Sequence, residues 1–150
     1  MLARQDFLNV VTHTPLVSID LLAQNANGDY LVGKRVNEPA KGSWFVPGGR
    51  IYKNEGLDAA FGRITETELG RRCGRNEASF VGVYEHFYDN NFAEVDGIGT
   101  HYVVLAYRLN DVLPDAFPSC DQHAVFAWMS PQQLLEHPQA DANTKAYFRP

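Results

Sequence analysis

Cysteine is scarce in this chain, with only Cys73 and Cys120 present. They form no CxxC pair, and no disulfide framework can be read from them. Reduced thiols in a soluble cytoplasmic protein are the expectation. Basic residues are also outnumbered, 13 Lys and Arg against 18 Asp and Glu, for a net charge of −5. That balance argues against a general binder of phosphate backbones, so no nucleic-acid partner is expected. Single arginines can still hold a small anion. A long apolar run is missing too. The opening MLARQDFLNVVTHT scatters charges and has no apolar core, which excludes a signal peptide or a membrane span there. Repeats, low-complexity segments and linkers are absent. The 150 residues therefore read as one domain, 1–150, large enough to bury a core.

What is present is a mixed order of strands and helices. Residues 4–11 fit a short amphipathic helix with Phe7, Leu8, Val10 and Val11 on its apolar side. PLVSIDLLAQ reads as a strand, Asn27-Gly28 as a hairpin signal, and YLVGKRV as the return strand. WFVPGG reads as a short strand that stops at a Pro-Gly-Gly break. Leu57, Ala60, Phe61, Ile64 and Leu69 follow a helical rhythm that Gly70 can cap. Two long strands, ASFVGVYEHFYD and THYVVLAYRL, flank the loop 89–99, and AVFAWM forms another. SPQQLLEH begins a helix with Ser at the N-cap and Pro at N1, and a last helix covers 142–148. Strands on both sides of one central helix define an α+β class, an α/β/α sandwich with a mixed sheet.

The chemistry concentrates in PGGRIYKNEGLDAAFGRITETELG, residues 47–70. Gly48 and Gly49 at a strand end let backbone approach a ligand or metal with no β-carbon in the way. Positions 64, 67 and 68 share one face of the following helix. Three carboxylates there would collect several hard cations. The residues are Ile64, Thr67 and Glu68, so one carboxylate is left. The plain alternative is a surface helix after a glycine turn, with Arg63 and Glu68 solvated.

Gly49, Glu55, Arg63, Glu68 and Gly70 together resemble the Nudix box, G-x5-E-x7-R-E-U-x-E-E-x-G-U. The chain departs from it at Ile64, Thr65, Thr67 and Arg71. Outside the box, TPLVSIDLL, LVGKRVNEPAKGSWFVPGGRI, HFYDNNF, THYVVLAYR and DQH resemble the GDP-mannose mannosyl hydrolases, a Nudix branch with a modified box. This resemblance covers nearly the whole chain. It implies the Nudix fold, and hydrolysis of GDP-mannose, or GDP-glucose, to GDP and free sugar. Water would attack the anomeric carbon with inversion. It also implies one Mg²⁺ per subunit, with Mn²⁺ able to substitute, and a homodimer in which the N-terminal segment is a candidate for exchange.

The site residues follow from the same resemblance. The metal set is the Gly48 carbonyl, Glu68 and Gln122, completed by diphosphate oxygens and water. His123 takes the place of the general base, a role that suits an imidazole near neutral pH. Arg35 matches the arginine that offsets leaving-group charge, and Arg50 can reach the diphosphate with its fork. Asp20 contacts the sugar or takes part in catalysis, since a carboxylate stabilises oxocarbenium-like charge. His86 and Tyr102 are hydrogen-bonding groups for sugar or phosphate. Taken singly, each has a plainer reading as a surface or half-buried strand residue. Arg63 either touches substrate or orients the helix. Phe7, Phe87 and Tyr88 are open between guanine stacking and core.

Two other functions compete. An ordinary Nudix diphosphatase would attack phosphorus and release GMP and sugar 1-phosphate. A nucleotide-binding module that had lost catalysis would bind GDP without turnover.

Overall fold

Residues 2–116 and 125–150 are described by the computed structural model. Helix α1, Arg4–His13, is amphipathic as its apolar spacing predicts, although only Val11 in it is buried. Strand β1, Leu16–Leu22, carries apolar residues on both faces, and it lies inside its sheet. β2 (Tyr30–Lys34), β3 (Trp44–Phe45), β4 (Gly48–Arg50), α2 (Leu57–Leu69), β5 (Ala78–Tyr88), β6 (Thr100–Leu109) and β7 (Phe126–Met129) follow. α3 (Pro131–Glu136) opens with the expected Ser130 N-cap and Pro131 at N1, and Gln133 completes a capping box; α4 (Ala142–Lys145) runs into a 3₁₀ turn, Ala146–Phe148.

Two sheets result among the described residues. One has the order β4-β1-β6-β5, the other β3-β2-β7. β1 runs parallel to β6, whereas β1–β4 and β5–β6 are antiparallel, so the larger sheet is mixed as expected. Two expectations need correction. Asn27-Gly28 does make a tight turn, with Gly28 at φ +82°. The chain then leaves β1 after one bridge, Gln24 to Tyr30, and β2 pairs with β3 and β7 in the second sheet. The apolar residues Leu31 and Val32 are buried there, and that burial outweighs a local hairpin. The Gly48-Gly49 pair is also no break. It forms β4, pairing Gly48 with Asp20 and Gly49 with Ile19.

The helix expected over 57–69 forms with those bounds, and its apolar rhythm is buried except at Leu57, which is exposed. α2 buries Ala60, Phe61, Ile64 and Leu69 against Ile19, Leu21 and Tyr107. Gly70 closes it in the left-handed region at φ 71° and donates its N–H to Glu66 O at 3.0 Å. Thr65, where the box has an apolar residue, is fully buried. Its hydroxyl donates to Phe61 O at 2.9 Å and accepts from Cys73 N at 2.9 Å, fastening the helix to the chain that leaves it. A second core, built on Leu22, Val32, Trp44, Val46 and Leu134 with Tyr147 and Phe148 packed against it, lies between the smaller sheet and the C-terminal helices. The layers are thus α/β/α. No helix among the described residues is long and apolar enough to cross a membrane.

Candidate active site

The β1–β6–β5 register decides which side chains meet. Asp20 pairs with Ala106, Leu16 with Tyr102, and Tyr102 with His86. Alternation along each strand therefore sets Ser18, Asp20, Tyr102 and His86 on one face. That face and the strands β2, β3 and β4 enclose a cavity of about 380 Å³. Asp20, Arg35, Gly48, Arg50, Glu68, His86 and Tyr102 all line it. These are the site residues expected from sequence that fall within the described residues. Gln122 and His123 lie outside them. Phe126, also in the cavity wall, begins the strand that follows.

Glu68 reaches the cavity from the last turn of α2. Its Oε1 accepts the Gly48 N–H at 3.3 Å. Burial pushes its carboxyl above the usual range, and the Gly48 bond opposes this. Ile64, one turn earlier, is 1% exposed and packs in the core. Thr67 is exposed. One carboxylate of the helix therefore borders the cavity, and no cluster of three or more His, Cys, Asp or Glu able to hold a metal occurs among the described residues. A buried carboxylate beside a bare backbone turn fits a single hard cation that takes its other oxygens elsewhere.

Asp20 stands opposite, on β1. Gly48 must be glycine for this, because a β-carbon there would stand 2.5 Å from Asp20 Oδ1. Burial pushes the Asp20 carboxyl up to about 7; a hydrogen bond from Tyr147 counters it, and Asp141 and Glu68 add repulsion. Desolvation pulls the buried His86 imidazole below its usual value, against the pull of Asp141. The Tyr102 hydroxyl is raised mainly by burial, while the charges of Arg35 and Arg50 work the other way. Both guanidiniums thus bear on one wall of the cavity. Arg35 is aimed by its Nε, which donates to Pro39 O at 2.7 Å, and its guanidinium sits 5.7 Å from the Phe45 ring. Arg50 lies over Phe7 at 4.5 Å and Tyr52 at 5.1 Å.

Arg63 serves structure. It grips Glu55 at 2.7 and 2.9 Å and donates to Arg50 O at 2.8 Å. Of the three aromatics left open, Tyr88 lines the cavity. Phe7 sits between Arg50 and Phe92, 4.7 Å from the latter. Phe87 faces the other side of the sheet, 63% exposed and stacked on His101. Sequence reasoning missed Tyr147, whose hydroxyl donates to Asp20 Oδ2 at 2.5 Å. No local signal marks it, since 127 residues separate the two.

The mixed sheet, with α2 following the Gly48-Gly49 strand and a cavity at that strand, is the setting in which the family match falls. Residues 14–149 match the NUDIX domain, and the chain belongs to the Nudix family. It is 38% identical over 133 residues to the low-salt glycan biosynthesis protein Agl8 of Haloferax volcanii, covering 88% of this chain and 81% of that protein. Its fold is similar to the MutT protein of Methanosarcina mazei, with TM-score 0.64 and 19% identity over 91% of this chain and 92% of that one. The MutT NUDIX hydrolase of Burkholderia pseudomallei gives TM-score 0.62 and 24% identity over 91% and 97%. Nudix hydrolases generally use a divalent metal such as Mg²⁺.

Proposed function

We propose that this Nudix hydrolase cleaves GDP-mannose, or GDP-glucose, to GDP and free sugar by attack of water on the anomeric carbon with inversion. The observation that carries the reading is the reduced acid set: Glu68 borders the cavity, while Ile64 is buried in the core at a box-glutamate position. Of the three box positions 64, 67 and 68, Glu68 alone carries a carboxylate, too few to hold several metals there. Gly48 O and Glu68, with Gln122, would hold one Mg²⁺, for which Mn²⁺ can substitute. Bound there, it would neutralise charge on a diphosphate leaving group.

The chain's own residues account for the rest. Arg35 and Arg50 supply fixed positive charge for the diphosphate. Asp20, on β1 in the same cavity wall, offers a carboxylate to a sugar that becomes cationic as its bond to oxygen breaks. His86 and Tyr102 offer hydrogen bonds to sugar or phosphate. His123 takes the proton from water. The relative from Haloferax volcanii is named for glycan biosynthesis, which accords with a sugar-bearing substrate. The resemblance to the mannosyl hydrolases also supports a homodimer, which sedimentation equilibrium tests.

Hydrolysis in ¹⁸O water decides the reaction. Label in the sugar, with GDP as the other product, is the expected result. Label in phosphate, with GMP and sugar 1-phosphate, would make the chain an ordinary diphosphatase. Tight GDP binding without turnover at any Mg²⁺ concentration would make it a binding module.

A further inference from the structure

Tyr147 sits in the 3₁₀ turn Ala146–Phe148, close to the end of the chain. Its ring is held edge-on by Tyr84, centroids 4.7 Å apart at 80°, and by Phe148 at 6.4 Å and 90°. The hydroxyl lies between two residues of the cavity wall, 2.5 Å from Asp20 Oδ2 and 3.4 Å from His86 Nε2. The segment before it is docked as well. Tyr88 Oη donates to Asp141 Oδ2 at 3.0 Å, and Asp141 N donates to Trp44 O at 3.1 Å.

A phenol has one proton. With Asp20 ionised, Tyr147 gives it to the carboxylate, so toward His86 it offers only a lone pair. A proton on His86 Nε2 completes this contact at 3.4 Å. The Asp20 carboxylate is fixed at the same time. Oδ2 is taken by Tyr147, and Oδ1 faces the Gly48 turn, where a β-carbon would come within 2.5 Å of it. A carboxylate without such a bond turns easily about its last torsion, whose wells are broad and roughly two-fold.

We propose that Tyr147 is a positioning residue: its hydroxyl fixes the rotation of the Asp20 carboxylate and holds His86 in the Nε2-protonated tautomer, making the C-terminal turn part of the active site. The effect on rate rests on the hydrolase reading above. The effect on the tautomer does not.

Tyr147→Phe tests both, because it removes one oxygen and keeps the packed ring. GDP-mannose turnover should fall about 10–100-fold, with KM and GDP affinity within about twofold, as expected for a misplaced group that acts in the transition state. Added to Asp20→Asn, the same change should cost clearly less than it does alone, since much of it acts through Asp20. Long-range ¹⁵N spectra of the histidine rings should show His86 protonated at Nε2 in the wild type and shifted toward Nδ1 in the variant. Wild-type turnover with an unchanged His86 tautomer would overturn the proposal. So would losses that multiply independently in the double variant. If the wild-type protein leaves GDP-mannose intact, the hydrolase reading fails, and the tautomer alone decides: a shift on Tyr147→Phe upholds the positioning role, and no shift ends it.

Discussion

Ile64 lies directly beneath Gly49: a β-carbon on the glycine would stand 3.1 Å from Ile64 Cγ1. The isoleucine is 1% exposed and belongs to the core that α2 forms with β1. A box glutamate at this position would have to bring its charge into that core or force the helix outward. Ile64→Glu should therefore destabilise the protein by about 3–5 kcal/mol, the cost of an uncompensated buried charge. Urea unfolding measures it. A loss below about 1 kcal/mol would mean that the carboxylate escapes to the cavity. In a folded Ile64→Glu/Thr67→Glu variant GDP should remain the main product, because attack at phosphorus also needs an in-line water.

Glu68 is the next test. It is the carboxylate of α2 that borders the cavity, and Gly48 N–H already directs its Oε1. Glu68→Gln keeps the shape and the hydrogen bond but removes the charge. Mg²⁺ affinity should drop at least about tenfold, the low end of what losing even an outer partner of a metal ligand costs. Calorimetric titration should give one tight site per wild-type chain. Two or more tight sites would contradict the single-metal reading.

The local parts of the fold were legible in sequence because they rest on local physics. The rhythm of Leu57, Ala60, Phe61, Ile64 and Leu69, closed by Gly70, is a pattern that only a helix buries on one side. His86 and Tyr102 were legible as polar candidates on the two long strands, though their shared face and direct pairing needed the register. What sequence did not show was long-range. The contact of Tyr147 with Asp20 joins the two ends of the chain. Gly48-Gly49 reads as a break by propensity, yet pairing with Ile19 and Asp20 makes it a strand. Its missing side chains admit Ile64 on one side and the Asp20 carboxylate on the other. The turn at Asn27-Gly28 was legible, but where β2 went next depended on partners far along the chain.

The Arg63–Glu55 clamp links helix α2 to the end of β4, which carries Arg50. The pair is bidentate, Arg63 also holds Arg50 O, and its guanidinium lies 3.8 Å over the Tyr52 ring. Arg63→Lys keeps charge but loses the fork, and should cost about 1.5–3 kcal/mol. Glu55 reports the same clamp through pH. Its carboxyl is lowered to about 2, chiefly by the Arg63 hydrogen bond. Such a group contributes stability that is present above its ordinary value of 4.5 and is lost as pH falls through about 2. Glu55→Gln should flatten the acid limb of the stability curve in that window. An unchanged acid limb would show that the clamp does not set it.

Asp20 gives the opposite sign. Its carboxyl is raised from 3.8 to about 7, first by burial and then by repulsion from Asp141 and Glu68, against the Tyr147 hydrogen bond. Between these two values the folded state binds more protons than the unfolded chain. Stability from this group therefore falls as pH rises through the window, and the penalty is complete above about 7. Asp20→Asn removes the titration while its side-chain oxygen can still accept from Tyr147. In metal-free buffer the variant should gain stability over wild type at pH 8 and gain little at pH 4. Melting temperatures of both proteins across that range supply the measurement. A metal or an arginine drawn toward Asp20 would lower its value, so the wild-type penalty should shrink when Mg²⁺ and GDP are added. Parallel curves for the two proteins in metal-free buffer would show that Asp20 is not held protonated by its surroundings. The carboxylate would then be charged in the empty cavity at neutral pH, and Tyr147, not burial, would dominate its environment.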